Sequence, residues 1–334
     1  MSAMNEGSFA VVVNANSGTA ASLGEAALHA LIAGIFGPKL LTCEIAESEF
    51  IDFAMSRAFA SEAPIVVIIG GDGTCRAAAG HALDAKKTLA FLPGGTMNLI
   101  PNRHWPQMDV ASALQALSDG AYENHALDVG YVNDEIFLIA AAFGAAPALA
   151  RLREAHRASH SLSQSIETLL EVKKVMPHIL RPTVSVEAVG MHHRRLSALA
   201  IVIGNADIAL GRHDPESIIV DQSSQHQFEC VAAEVVSPWS FLMIMIRAFL
   251  DRNWRDDPKV TTTTIQSGIV RSKSRSIAMT LDGEVHRLTS PAHVRLIAEG
   301  LKVLIFSQPS VQEKHMSHVI PEADLAQFKA EQVS

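Results

Sequence analysis

The first hundred residues alternate between short apolar runs and segments with a helical period. Apolar runs at Ser8–Val13, Leu40–Ile45, Ile65–Ile69 and Thr88–Leu92 have the length and content of strands. Between them, Thr19–Ile35 places Leu23, Ala26, Ala27, Ala30, Leu31 and Gly34 at helical spacing, and Glu49–Ala60 and Cys75–Leu83 also read as helices. Strand and helix in strict alternation predict a parallel, doubly wound sheet.

The second half has a different rhythm. Ala126–Val132, Glu135–Phe143, Thr183–Val189, Leu196–Ile203, Phe228–Val235, Thr261–Val270, Ser276–Leu281, His293–Ala298 and Lys302–Phe306 read as strands. Their Val, Ile and Thr content, with turn residues between, predicts an antiparallel sandwich or barrel-like domain. Helical insertions near Pro147–Pro177 and Pro238–Trp254 interrupt it. The expected fold class is therefore α/β with two domains. Residues 1–121, rejoined by the polar tail 308–334, form a doubly wound parallel domain; residues 122–307 form a β-rich, sandwich-like domain with helical insertions.

Three polar or glycine-bearing turns follow the early strands: Asn14-Ala15-Asn16-Ser17-Gly18, Gly70-Gly71-Asp72-Gly73-Thr74 and Pro93-Gly94-Gly95-Thr96-Met97-Asn98. All lie at the carboxyl ends of strands, where sheets of this kind bind ligands. Glycines let backbone approach phosphate oxygens, and the helix after Thr74 adds positive partial charge at its amino end. A lone Gly-Gly turn reads more plainly as a strand–helix turn without a ligand; with Asp72 and Thr74 in place, Gly70–Thr74 reads as a nucleotide or phosphate site.

Composition adds limits. The chain has 334 residues, 48% hydrophobic and 19% charged, enough for about two domains with ample core. A net charge of −8 argues against nonspecific nucleic-acid binding. Cys43, Cys75 and Cys230 have no metal or redox spacing and suit a reducing compartment. The N-terminus shows no signal-peptide pattern. The apolar stretches Ile136–Ala150 and Phe241–Ile246 are shorter than the roughly 18–20 residues that span a bilayer. A cytoplasmic protein is expected, able to sit peripherally at the inner membrane surface.

The turns, with Asp128-Val129-Gly130 and Asp282-Gly283-Glu284, make the chain resemble the diacylglycerol kinase catalytic-domain family, which includes bacterial lipid kinases, sphingosine kinases and ceramide kinases. NAD kinases and phosphofructokinases carry a loop like Gly70–Thr74; the ordered set ending in Asp-Gly-Glu is more specific. The resemblance covers about residues 8–307. It implies a nucleotide-binding α/β domain, a β-rich lipid-substrate domain and an active site between them. It further implies that Asn14, Asn16, Ser17, Gly18, Gly70, Gly71, Gly73, Thr74, Gly95, Thr96 and Asn98 bind ATP. Asp72, Asp128 and Asp221 would serve Mg²⁺, and Asp72, Asp282 and Glu284 would be catalytic, with one of the last two as general base. In an extended Asp282-Gly283-Glu284, both carboxylates would point to one face; an exposed hairpin turn is the plainer alternative.

The chain departs from the family pattern in places. Ala15 stands where Pro is usual, and Leu99 where an Asp usually follows the Asn of the Gly-Thr-x-Asn element. Cys75-Arg76-Ala77-Ala78 lacks a Glu, Ile45 or Ala46 falls where a Thr often contacts ATP, and Asp221-Gln222 lacks the Gly of a structural metal loop.

Other features also admit plain structural roles. Ala148–Met176 combines Leu162, Ile166, Leu169 and Leu170 with Arg151, Arg153, Arg157, Lys173 and Lys174; it suits a membrane-surface helix or an ordinary helix on the sheet. Trp239–Leu250 is nearly all apolar and reads as buried, with an acyl-chain pocket as the alternative. His156 and His160 lack a third ligand at zinc spacing, and His192-His193 falls in an expected hairpin turn. The expectation is an ATP- and Mg²⁺-dependent kinase for a hydroxyl of diacylglycerol or a sphingoid-like lipid at a membrane surface. A kinase for a soluble acceptor, as in NAD kinases, and a nucleotide-binding regulator without catalysis are the alternatives. The oligomeric state stays open, a homodimer included.

Overall fold

The computed structural model describes residues 7–95, 98–148, 150–151, 184–189, 191–204, 226–234, 237, 240 and 254–307. The early strands are β1 (Phe9–Asn14), β2 (Leu40–Ala46), β3 (Ile65–Gly70) and β4 (Thr88–Pro93). They lie parallel in the order β2-β1-β3-β4. The helices are α1 (Gly18–Leu23), α2 (Glu25–Phe36), α3 (Ile51–Ala60), α4 (Asp72–Ala85), α5 (Leu99–His104) and α6 (Val110–Ser118).

Alternation along the strands explains why the apolar runs have no polar face. Ala10, Val12, Val66 and Ile68 pack with Ala54, Met55 and Ala58 of α3 and Ala78 and Ala82 of α4. Val11, Val13, Val67 and Ile69 point the other way, onto Leu28, Ile32 and Phe36 of α2 and Leu114 and Leu117 of α6. Both faces are covered, as parallel sheets require. Each Val or Ile so buried contributes about 1.5–3 kcal/mol. The helix expected over Thr19–Ile35 is two helices. Gly24, at φ +79°, ends α1 by donating to the Ala20 carbonyl and then accepts from Leu28 N–H to begin α2.

The later strands are β5 (Tyr122–Val132), β6 (Glu135–Phe137), β7 (Ala140–Gly144), β8 (Val184–Ala188), β9 (Met191–Leu196), β10 (Ala198–Ile203), β11 (Phe228–Ala233), β12 (Val260–Ile265), β13 (Ser267–Ser272), β14 (Ser276–Leu281), β15 (Glu284–Thr289) and β16 (Ala292–Phe306). Six of them form an antiparallel sheet, β12-β11-β10-β7-β14-β15. It faces β8, β13 and part of β16 across a core that includes Phe137, Phe143, Val186, Ile201, Phe228, Val270 and Met279. The fold is thus a parallel α/β unit followed by a β-rich antiparallel one, as expected.

Several details differ from the sequence reading. Thr261–Val270 is not one strand: the chain turns at Gln266, so that β12 lies in the six-stranded sheet and β13 in the other. His192 and His193 lie within β9, not in a turn; the turn falls between Ala188 and Met191. The segments expected at His293–Ala298 and Lys302–Phe306 are one strand, β16. Its pairing with β5 shifts register between Ile297 and Leu301, at a bulge where Glu299 takes φ +50°. Beyond the bulge, Val303 pairs in parallel with Leu89 of β4, so the parallel strands and one wall of the sandwich belong to a single ten-stranded sheet.

Candidate active site

The turns after β1, β3 and β4 meet backbone to backbone. Gly94 N–H donates to the Gly70 carbonyl at 3.1 Å, and Thr19 N–H donates to the Gly94 carbonyl at 3.1 Å. A Cβ on Gly94 would lie 2.7 Å from Gly70 N, and one on Gly95 would lie 2.7 Å from Gly71 Cα. These glycines are therefore required by close approach. A Cβ on Gly70 would meet the Thr74 side chain at 2.7 Å. Gly18 has room, its nearest such neighbour being Gly94 O at 3.8 Å.

Side chains then tie the first turn to the second. Asn14 Nδ2 donates to Thr74 Oγ1 at 3.1 Å, while Asn14 Oδ1 accepts from Asn16 N–H at 3.0 Å and from the Ser48 hydroxyl at 3.2 Å. Asn16 Oδ1 accepts from Ser48 N–H at 2.7 Å. Ser48 is a contributor that the sequence reading missed, two residues past the position where a Thr was sought. Ser17 caps α1 through Ala20 N–H. Ala15 donates its N–H to the Ala46 carbonyl at 2.8 Å, a bond the usual proline could not make.

At the amino end of α4, Gly71 is the N-cap and no side chain caps the helix. The first helical bond runs from Cys75 N–H to the Gly71 carbonyl. The N–H groups of Asp72, Gly73 and Thr74 precede it and are the orphan donors of a helix start. A phosphate fits this seat, because N–H groups, glycine backbone and the helix dipole all favour an anion there.

The third turn is closed internally. Asn98, in the left-handed region at φ +49°, accepts from Gly95 N–H at 2.7 Å and donates to the Gly95 carbonyl at 2.8 Å. Asn98 shapes the loop with the atoms expected to touch nucleotide. Thr96 lies outside the described residues.

Asp72 faces α5. Its Oδ1 accepts from Ile100 N–H at 2.8 Å. Burial raises its pKa; the N–H groups of Ile100 and Leu99 pull it down, Glu284 pushes it up and Arg103 pulls it down. Leu99, which replaces the expected acid, packs against the apolar core. Arg103 is 8% exposed, and burial lowers it to about 10 against the pull of Asp282 and Asp72.

The Asp282-Gly283-Glu284 element is a tight turn and not an extended strand, which corrects the one-face geometry. Asp282 and Gly283 have φ +49° and +91°, joining β14 to β15 with Leu281 paired to Glu284. The two carboxylates diverge. Asp282 is buried: Oδ2 accepts from Leu138 N–H at 2.8 Å, and Oδ1 from Ile139 and Ala140 N–H at 2.7 and 3.0 Å. Burial raises its pKa, opposed by those N–H bonds and by Arg76. Three backbone N–H groups hold this carboxylate, which is the work of an anchor.

Glu284 goes the other way, over the glycine loop. A Cβ on Gly73 would fall 2.0 Å from Glu284 Oε1. Glu284 Oε2 lies 3.0 Å from Arg76 Nη2. Glu284 is half exposed, so it reaches both solvent and the α4 amino end. The parallel sheet and the six-stranded sheet thus contribute to one cleft.

Asp128 is not part of this cluster. It is buried on β5, accepts from Glu299 N–H at 2.9 Å and lies 3.0 Å from His226 Nδ1. Asp221 lies outside the described residues, as do residues 152–183, 241–250 and 308–334, which hold most of the basic segment expected to be helical, most of the apolar stretch and the tail. Among the described residues, no three His, Cys, Asp or Glu side chains are grouped to hold a metal ion. Asp72 and Asp128 sit in separate hydrogen-bond clusters and do not form a ready ligand set for Mg²⁺. No helix among the described residues is long and apolar enough to cross a membrane.

Comparison with known proteins agrees with this architecture. Residues 8–132 match the model of the diacylglycerol kinase catalytic domain. A diacylglycerol kinase from Bacillus anthracis str. Sterne has the same fold at TM-score 0.59 and 13% identity, over 90% of this chain and 97% of that one. A second protein of that organism, provisionally named a diacylglycerol kinase, gives TM-score 0.63 at 14% identity, over 90% and 95% of the two chains. A third, named in the same way, gives 0.61 at 15%, over 91% and 98%. At these identities the likeness is one of fold; the sequence match is the one over the glycine-turn domain. Over residues 8–132, the chain is similar in sequence to the diacylglycerol kinase catalytic domain.

Proposed function

We propose that the protein is a lipid kinase that moves the γ-phosphoryl group of ATP to a hydroxyl of diacylglycerol or a sphingoid-like lipid presented at a membrane surface. Mg²⁺ would accompany the nucleotide on its phosphates. The observation that carries the reading is the placement of Glu284, a carboxylate from the second sheet, directly over the uncapped amino end of α4.

Phosphoryl transfer asks mainly for positioning and charge stabilisation. The orphan N–H groups of Asp72, Gly73 and Thr74 would hold phosphate oxygens, and the converged glycine backbone would let them come close. Glu284 would accept the proton of the attacking hydroxyl. Asp282 would keep the hairpin that carries Glu284 docked on Leu138–Ala140. Asp72 would set the entry of α5 and so the shape of the third turn.

The test is transfer of labelled γ-phosphate from ATP into a mixed bacterial lipid extract, with Mg²⁺ or Mn²⁺. Labelled lipid is expected, and Glu284→Gln should lower kcat by about 10²–10⁴-fold. No labelled lipid with either ion would sink the proposal. The internal use of Asp72 and the apolar placement of Leu99 favour one other reading, a nucleotide-binding protein without turnover. ATP binding by calorimetry without transfer to any lipid would select it.

A further inference from the structure

Arg76 stands one turn into α4 and joins groups from two strands. Its Nη2 lies 3.0 Å from Glu284 Oε2 and 3.0 Å from His286 Nε2, both on β15; its Nη1 lies 3.6 Å from Glu135 Oε2 on β6. Its side chain is only 13% exposed, and its Nε is buried without a hydrogen-bond partner. A solvated surface ion pair has neither property, and such pairs contribute little. A neutral His286 accepts from the guanidinium at Nε2. The missing side chain of Gly73 supplies the other half of the arrangement, since the Glu284 carboxylate fills the place a Cβ would take.

We propose that Gly73 and Arg76 form a seat for Glu284, with Arg76 as a positioning residue that holds the β14–β15 hairpin against the amino end of α4. The glycine then serves the acceptor side of the cleft as well as the phosphate side. Arg76, on α4, thus fixes a carboxylate carried by the β14–β15 hairpin of the six-stranded sheet. The catalytic consequence rests on the lipid-kinase reading; the seat itself does not.

Three variants test it: Arg76→Met, Arg76→Lys and Gly73→Ala. The first readout is amide hydrogen exchange, which needs no turnover. Arg76→Met should speed exchange in β15 and at the start of α4 by about tenfold or more while α3 is unchanged, and Arg76→Lys should restore much of the protection. The second readout is kinetic. Arg76→Met and Gly73→Ala should each lower kcat about 10- to 100-fold with KM for ATP within about twofold, because a carboxylate is misplaced and no phosphate contact is lost. Unchanged exchange in β15 of Arg76→Met overturns the seat, whatever the activity. A raised KM for ATP with intact kcat also overturns it and makes Arg76 a phosphate ligand. If the exchange result holds and the wild type labels no lipid, the seat stands and the kinase reading falls.

Discussion

The two sides of the cleft are built by different means. The phosphate side is backbone: glycines at the ends of β3 and β4 approach so closely that Gly94 N–H bonds Gly70 and no Cβ fits between them. The acceptor side is charge: the β14–β15 hairpin is held by Asp282 on three N–H groups and by Glu284 on Arg76. A backbone cradle is broken by adding atoms, and a charged clasp by removing them. Substitutions should separate the two.

The largest effect should come from the clasp. Asp282→Ala strands the Leu138, Ile139 and Ala140 N–H groups and leaves Arg103 without one of its counter-charges, at a cost of about 3–5 kcal/mol in urea unfolding. Next comes the cradle: Gly94→Ala drives a methyl to 2.7 Å from Gly70 N and should cost about 2–3 kcal/mol, with loss of nucleotide binding by calorimetry. If Gly94→Ala were neutral, the cradle would be looser than its contacts indicate.

A pH effect follows from α5, which packs against β4 and α4. Burial pushes His104 down to about 3, from an ordinary 6.5. The folded state thus favours neutral His104, so this stability is complete above pH 6.5 and lost as the pH falls toward 3. Lowering the pH from 6.5 to 5 should cost about 2 kcal/mol, and His104→Gln should flatten that part of the urea-midpoint profile. The smallest effect belongs to an ion pair outside the cleft: Arg57, well exposed and 3.2 Å from Glu44, should change stability by less than about 0.5 kcal/mol when replaced by Ala.

Much of this was legible in the chain, for reasons particular residues show. The runs Val66–Ile69 and Leu89–Leu92 had no polar face because helices cover both sides, and that pattern is local. The glycine turns were legible because close approach leaves its mark on residue type. The roles of the charged residues were less so. Asp282 and Glu284 are two positions apart, and only the positive φ of the turn sends one to backbone and the other to Arg76. Arg76 itself carried a faint signal, a basic residue where an acid was sought. Ser48 carried none, since its partners lie more than thirty residues away in sequence. The split at Gln266 was invisible because no Gly or Pro stands at the bend, and what separates β12 from β13 is the sheet that receives each.

The long strand β16 has a consequence for the order in which the molecule can be completed. Val303 supplies the neighbour that β4 lacks on its outer side, and it is separated from Leu89 by more than two hundred residues. During synthesis the first four strands can assemble with their helices soon after they emerge, but the edge of β4 stays unpaired until nearly the whole described chain has left the ribosome. An open edge beside so apolar a strand invites wrong partners. Chains stopped before Ala292 should therefore aggregate through β4, even though every glycine turn of the phosphate cradle is already made.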